Sequence, residues 1–461
     1  VTAAPVARDD RAGEPTGVLA RGTDLQLNHY GAARLPFACV GGRGLELDVV
    51  DLDPARRGRR LRLLDASAGY ASATLGGGHP VVRAALTRGT GVGNVTDELG
   101  SLERAELLDR LLGPDGLWTA HFPAGHYHVS GRNSGSEGNE LALRLVLESR
   151  FDGRRLRHHP GKERRDTVLA FQGAWHGWTG GLVPLLNRRY YRAGLPASET
   201  EGPYGVRVEH LPFGDPDALA DYFAASADRL LAVVVEPIQG DAGILPPPPG
   251  YLRDLARRCT AAGVLLVADE VLTFAKTGDW FAMRDADGPV PTDITVIGKF
   301  LGMGAVSTSM VIARRELAVR SSGAVTTSDL RPLHCAVIRD GIEHILAEGL
   351  LQGSADLGAH LTEHLDHALV DHHPDVFTEV RGTGAMLGVE LTAAAADRIG
   401  TLRRELIEAG VYAEFMAGAG KRSGGRRYVH PTLRIVLPLN ATATQAHEIV
   451  DRVAAGARAM R

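Results

Sequence analysis

Apolar runs and polar interruptions alternate most regularly through the middle of the chain. "TVLAF" (167–171), "LLAVVVEP" (230–237), "GVLLVADE" (263–270), "DITVIG" (293–298) and "TSMVIA" (308–313) are short, rich in β-branched residues and nearly continuous in apolar character. Such runs predict strands covered on both faces, as in α/β proteins. Between them, "GYLRDLARRCTAAG" (250–263) has helical spacing and stops at a glycine. The run "ILPPPPGY" predicts a loop, because successive prolines remove backbone donors and break helices. From about Pro332 onward helical patterns dominate, and "VRGTGAMLGVEL" and "TLRIVLPL" add strands among them. The expected organisation is a large α/β domain over residues 89–335 and a smaller α+β domain over 336–461. Residues 1–88 are expected to form a loose polar arm, over about the first sixteen positions, and then a segment joining the small domain.

Composition narrows the function classes. The chain has 461 residues, 44% hydrophobic and 23% charged, which fits a globular protein with ample core. A formal net charge of −4 gives no electrostatic case for nucleic acid or membrane binding. No apolar run approaches the roughly 18 residues that span a bilayer. The three cysteines, Cys39, Cys259 and Cys335, are far apart and odd in number, so they suit neither a disulfide framework nor a zinc site. A reducing, cytoplasmic setting and no bound metal are therefore expected.

Charge chemistry adds one oddity. Lysine and arginine total 51, yet only Lys162, Lys276, Lys299 and Lys421 are lysines. Three of these lie in polar stretches, whereas Lys299 in "TVIGKFLGMG" sits between an apolar run and a glycine loop. Arginine stays protonated, but a lysine in a dry pocket can lose its proton and act as a nucleophile. Asp269 closes the strand of "VLLVADEV", one βαβ unit earlier, and a carboxylate there needs a positive partner. Glu236 ends another strand, and ligands in open α/β sheets bind beyond such ends. In "NSGSEGNELALRLV", Ser134 and Glu137 suggest a capping box, so Ser134-Gly135-Ser136 presents backbone N–H groups at a helix N-terminus, where phosphate binds readily. In "QGAWHGWTGG", Trp175 and His176 offer either a wall for a flat ring or a packed indole beside a hydrogen-bonded imidazole.

Taken together, these blocks resemble the class III aminotransferases, pyridoxal-phosphate enzymes of fold type I, from "LLDASAGY" to "LRIVLPL" and in the family's order. The resemblance implies an α/β fold with a mainly parallel central sheet, and pyridoxal 5'-phosphate as cofactor. It implies that Gly135 and Ser136 hold the phosphate, that Trp175 stacks on the ring beside His176, and that Glu236 belongs to the cofactor site. Asp269 would pair with the ring nitrogen, and Lys299 would carry the cofactor and move the substrate's proton. "TTSDLRPLHCA" aligns loosely with a loop whose threonine, here Thr327, reaches the phosphate of a partner subunit, which implies a homodimer with shared sites. Arg434 in "TLRIVLPL" would bind a substrate carboxylate, and Asp241 after "EPIQ" would neutralise it when no carboxylate is present.

Three positions depart from the family's pattern. Leu272 stands where a glutamine often contacts the ring's phenolic oxygen, Asp241 is one methylene shorter than the usual glutamate, and the threonine loop lacks the family's glycines. The expected reaction is transfer of an amino group between an amine or amino acid and a keto acid or aldehyde. The alternatives on the same scaffold are an aminomutase, an epimerase and a decarboxylase. A dinucleotide-dependent oxidoreductase is disfavoured because "GTGVGN" lacks the full glycine pattern after a strand.

Overall fold

The β-branched runs do form strands, and the order in which they pair builds the site. The structure is a computed structural model describing residues 15–95, 98–152, 157–188, 201–202, 206–317, 324–327, 329–418 and 429–460. Most of the expected N-terminal arm (residues 1–14) and Lys421 lie outside the described residues.

Three strands come first: β1 (Phe37–Arg43), β2 (Glu46–Asp51) and β3 (Arg60–Asp65). The central sheet then uses β4 (Tyr127–Arg132), β5 (Thr167–Phe171), β6 (Glu201–Gly202), β7 (Val206–Leu211), β8 (Leu230–Val235), β9 (Leu265–Glu270), β10 (Ile294–Ile297) and β11 (Ser309–Arg314). Their spatial order is β4-β11-β10-β9-β8-β5-β7-β6. The inner strands β7, β5, β8, β9 and β10 run parallel, while β11, β4 and β6 are antiparallel to their neighbours. Helix α1 (Gly135–Glu148) covers one face, with Leu141, Leu145, Val168, Val234 and Val267 in one apolar cluster. Helix α2 (Tyr251–Ala262) covers the other, where Leu255 and Cys259 meet Phe171, Val233 and Leu266. Burial on both faces is why these strands read as continuous apolar runs rather than as alternating ones.

The C-terminal sheet is antiparallel throughout. It contains β12 (Phe377–Thr383), β13 (Met386–Leu391), β15 (Glu414–Met416) and β16 (Thr432–Val436), in the order β12-β13-β16-β15. A two-residue strand, β14 (Val411–Tyr412), pairs instead with β3, placing Val411 opposite Leu64 and Tyr412 opposite Asp65. The N-terminal strands thus join the C-terminal part of the chain. Eight of these strands, β1 to β4, β6, β7, β14 and β15, escaped the sequence reading. Those near the N-terminus carry exposed Arg43, Glu46, Arg60 and Arg62, and β4, "YHVSGR", has no apolar run.

Candidate active site

The carboxyl ends of the parallel strands open into a cavity of about 690 Å³. Its floor comes from three consecutive strand ends. Glu236 follows β8, Asp269 is the penultimate residue of β9, and Lys299 lies two residues beyond β10. Parallel pairing sets Asp269 level with Val296 and Glu270 level with Ile297. The strand period of two sends neighbouring side chains to opposite faces, and the "DE" pair divides accordingly. Asp269 lines the cavity. Glu270 turns away, accepting from the Thr273 hydroxyl at 2.6 Å and from the N–H groups of Ala282 and Met283 at 2.9 and 2.8 Å.

Asp269 is held from three sides. Asn139 Nδ2 donates to Asp269 Oδ2 at 2.7 Å, His176 Nδ1 lies 2.9 Å from the same oxygen, and the Val271 N–H donates to Oδ1 at 3.1 Å. Asn139 also donates to the His176 carbonyl at 2.8 Å. Burial alone would lower the His176 pKa, but the hydrogen bond and charge of Asp269 overcome it and raise the pKa. His176 is thus a fully buried, hydrogen-bonded imidazole that fixes the aspartate. The sequence reading missed Asn139, although it follows Gly135 and Ser136 by one helical turn and so shares their face.

Lys299 has a left-handed backbone, with φ of 47°, in a short 3-10 turn after Gly298. A lysine in this region carries strain, which tends to collect at functional positions. The turn is clamped by Thr74, whose hydroxyl donates to the Phe300 carbonyl at 2.6 Å. Burial, aided by the charge of Arg434, lowers the Lys299 pKa to about 8, against the opposing pull of Asp269, Glu236 and Glu414. Glu236 moves the other way. Burial raises its pKa to about 7, even though it accepts from the Trp175 and Gly240 N–H groups at 2.9 and 3.1 Å.

The N-terminus of α1 forms another side of the cavity. Ser134 caps it by accepting from the Glu137 N–H at 3.3 Å, while the Glu137 carboxylate takes the N–H of Asn133 rather than that of Ser134. This is a shifted form of the expected capping box. Ser309 donates to the Ser134 carbonyl at 2.8 Å and ties β11 to the turn. Gly135 and Ser136 then present first-turn N–H groups, which have no intrahelical acceptors. Gly177 must be glycine: its φ is +119° and a Cβ there would lie 2.5 Å from Ser136 Oγ. Trp175 lines the cavity and stacks on Trp178, with ring centroids 5.3 Å apart and planes 25° apart.

Pyridoxal phosphate fits these groups. The helix N-terminus suits a phosphate, and the Thr308 hydroxyl beside it is buried with no hydrogen-bond partner among the described residues. Trp175 offers an aromatic face, and Asp269 offers a carboxylate to a protonated ring nitrogen. Leu272 takes the place of a polar contact and packs against Gly240, where a Cβ would lie 2.1 Å from its Cδ2.

The family model described as "Aminotransferase class-III" matches residues 56–455. The chain belongs to the class III aminotransferase family. Among curated class III relatives it is 33% identical over 371 residues to an acetylornithine aminotransferase of Rhodobacter capsulatus, covering 79% of this chain and 84% of the relative. It is 32% identical over 386 residues to ornithine aminotransferase 2 of Staphylococcus aureus, covering 82% and 88%. The fold matches the crystal structure of an ornithine aminotransferase from Toxoplasma gondii, with a TM-score of 0.78 at 24% identity over 97% of this chain and 96% of that one. It also matches an (S)-enantioselective omega-transaminase from Thermomicrobium roseum, with a TM-score of 0.76 at 24% identity over 96% and 98%. The chain is thus a pyridoxal-phosphate-dependent aminotransferase of fold type I.

Two expectations need correction. Arg434 does not pair with Asp241: its Nη2 donates to Glu414 Oε2, and Asp241 lies 3.1 Å from Arg188. Antiparallel register places Glu414 directly opposite Arg434, which a scan for local motifs could not detect. Nor does Lys276 lie in polar surroundings. It is fully buried, with Nζ 3.6 Å from the centroid of the Phe300 ring, and burial and the charge of Lys299 lower its pKa well below the usual lysine value. Thr327 is exposed outside its own cavity, its carbonyl accepting from Asn94 Nδ2 at 3.3 Å.

Proposed function

We propose that Lys299 is the amine nucleophile and proton carrier of an amino-group transfer between a primary amine or amino acid and a keto acid or aldehyde. The observation that carries this reading is Lys299 itself: a half-buried amine with a lowered pKa, lining the cavity beyond the strand end next to Asp269. When bound, pyridoxal phosphate supplies the electron sink for the carbon that loses its proton. Asp269, fixed by Asn139 and His176, holds negative charge where the ring nitrogen must stay protonated. Gly135 and Ser136 bind the phosphate with backbone N–H groups. Trp175 covers the ring, and Glu236 braces Trp175 and Gly240 through their N–H groups. Lys299 Nζ, uncharged for part of the time at neutral pH, takes a proton and returns it at the neighbouring carbon.

Arg434 and Asp241 face the far end of the substrate, since both line the cavity. The names of the relatives support a donor whose reacting amine ends a short aliphatic chain, as in ornithine or acetylornithine. Thr327, exposed outside its own cavity, is read as reaching the site of a second copy in a homodimer. Three free cysteines support a reducing, cytoplasmic setting, and no helix among the described residues is long and apolar enough to cross a membrane. The division into residues 1–88 with 336–461, and 89–335 between them, is supported by the pairing of β3 with β14.

The test uses purified holoenzyme and a panel of ω-amines, with and without a keto acid. Transamination requires the acceptor for turnover. Sustained turnover without any acceptor would instead indicate an isomerase or decarboxylase.

A further inference from the structure

The wall above Lys299 carries an ion pair that neither the reaction nor the family resemblance requires. Glu414 and Arg434 stand opposite one another on β15 and β16, and both are buried, with exposures of 7% and 2%. Contact is end-on, through Arg434 Nη2 and Glu414 Oε2. Glu414 Oε1 and Arg434 Nε are buried with no hydrogen-bond partner among the described residues. Arg434 lines the cavity, its Cζ 5.3 Å from the Tyr70 ring, while Glu414 does not line it.

We propose that Glu414 is a specificity-determining residue that holds Arg434 as a permanently neutralised cation and so sets the site against substrates bearing two carboxylates. This rests on the reading of Arg434 as the residue facing the far end of the substrate. Three features support it. Strand register seats the two side chains directly opposite one another, and both are buried, so parting them would leave two uncompensated charges away from water. A turn residue such as Asp241 has more freedom, but it is engaged with Arg188 instead. Second, a carboxylate binds arginine best through two parallel N–H groups, and here Nη2 is already committed. Third, the unpartnered Oε1 keeps its lone pairs beside the guanidinium, where they oppose an incoming anion. The substrates favoured by such a wall have a neutral or zwitterionic far end.

The test is equilibrium binding to holoenzyme by calorimetry, using glutarate as an unreactive dicarboxylate and butyrate as its monocarboxylate counterpart. In the unmodified protein the second carboxylate should add almost nothing to affinity. Glutarate binding more than about tenfold tighter than butyrate would overturn the proposal. Glu414→Gln should tighten glutarate about tenfold while leaving butyrate nearly unchanged. Unchanged glutarate affinity in Glu414→Gln would equally overturn it. Because the first comparison uses the unmodified protein, a Glu414 variant that fails to fold leaves the proposal testable. Cofactor absorbance, recorded before each titration, tests the Lys299 reading separately. If Lys299→Ala leaves that absorbance unchanged, the site reading fails whatever glutarate does.

Discussion

The floor and the side wall of the cavity both place a base beside a buried acid, by different means. On the floor, Asp269 and Lys299 come from adjacent parallel strands, and the sheet topology brings both strand ends to one edge. Glu236, Asp269 and Lys299 keep the cavity open to their charges, and among the described residues none is closed off by a counter-ion within 4 Å other than the imidazole of His176. On the wall, Glu414 and Arg434 come from adjacent antiparallel strands, whose register sets the two side chains directly opposite one another. Parallel strand ends therefore leave charges available for chemistry, whereas antiparallel register spends two charges on each other. In the proposed function the floor reacts and the wall selects.

Replacing Lys299 gives the sharpest way to break this contrast. Lys299→Ala should lower kcat by at least about 10⁴-fold, and Lys299→Arg should be equally inactive, because guanidinium does not give up its proton at working pH. Both proteins should still bind the cofactor through Gly135, Ser136 and Trp175, as equilibrium dialysis would show. Asp269→Asn should follow, with a loss of about 10²–10³-fold in kcat and a folded protein, since the amide no longer supplies the charge opposite the ring nitrogen. Circular dichroism together with steady-state rates would check this, and retention of most activity would contradict it.

On the wall the expected effect shifts from rate to stability. Arg434→Ala leaves Glu414 buried without its counter-ion, so stability should fall by about 3–5 kcal/mol while kcat for a simple amine changes little. Denaturant unfolding measures the first quantity and single-substrate kinetics the second. A large loss of kcat with no loss of stability would place Arg434 with the floor.

Lys276 sharpens the comparison from beneath the floor. It is fully buried and does not line the cavity, whereas Lys299 is half-buried and does. Because its folded pKa lies below its unfolded value, the unfolded chain binds a proton that the folded chain does not, and stability rises with pH between the two values. Lys276→Met removes this dependence. The variant should melt higher than the parent at neutral pH, with the gain shrinking toward about pH 10, where the unfolded lysine also loses its proton. A lower melting temperature at neutral pH would show instead that the charged amine is stabilised over the Phe300 ring.

Much of the floor could be read from the sequence because each residue closes an apolar run that is itself conspicuous. Asp269 ends "VLLVAD" and Lys299 follows "TVIG". The glycine turn at 133–136 was legible from its cap. The wall was not, since pairing of Glu414 with Arg434 depends on how two strands align across a long connection, and nearby sequence offered Asp241 as a plausible anion. Lys276 misled for a related reason. Its neighbours in "FAKTGDW" look half polar, but Ala385 N–H donates to its carbonyl at 2.8 Å and brings the β12–β13 turn over it. Asn139 was overlooked because a single polar residue inside an apolar helix becomes meaningful only when the strand end it faces is known.

The pH dependence of the floor follows from Lys299. With a pKa of about 8, its amine loses its proton more than two units below a free lysine. Cofactor attachment to the cofactor-free chain should accelerate as pH rises and reach half its maximal rate near pH 8, as stopped-flow absorbance would record. Half-maximal attachment near pH 10 would mean that the amine is not desolvated.

The central claim is that Lys299, rather than its buried neighbour Lys276, is the reactive amine. Borohydride reduction of the holoenzyme followed by peptide mapping tests it most directly. The account predicts a single reduced cofactor adduct, on the peptide containing Lys299, and none on Lys276, Lys162 or Lys421. An adduct on Lys276, or on any lysine other than Lys299, would contradict it.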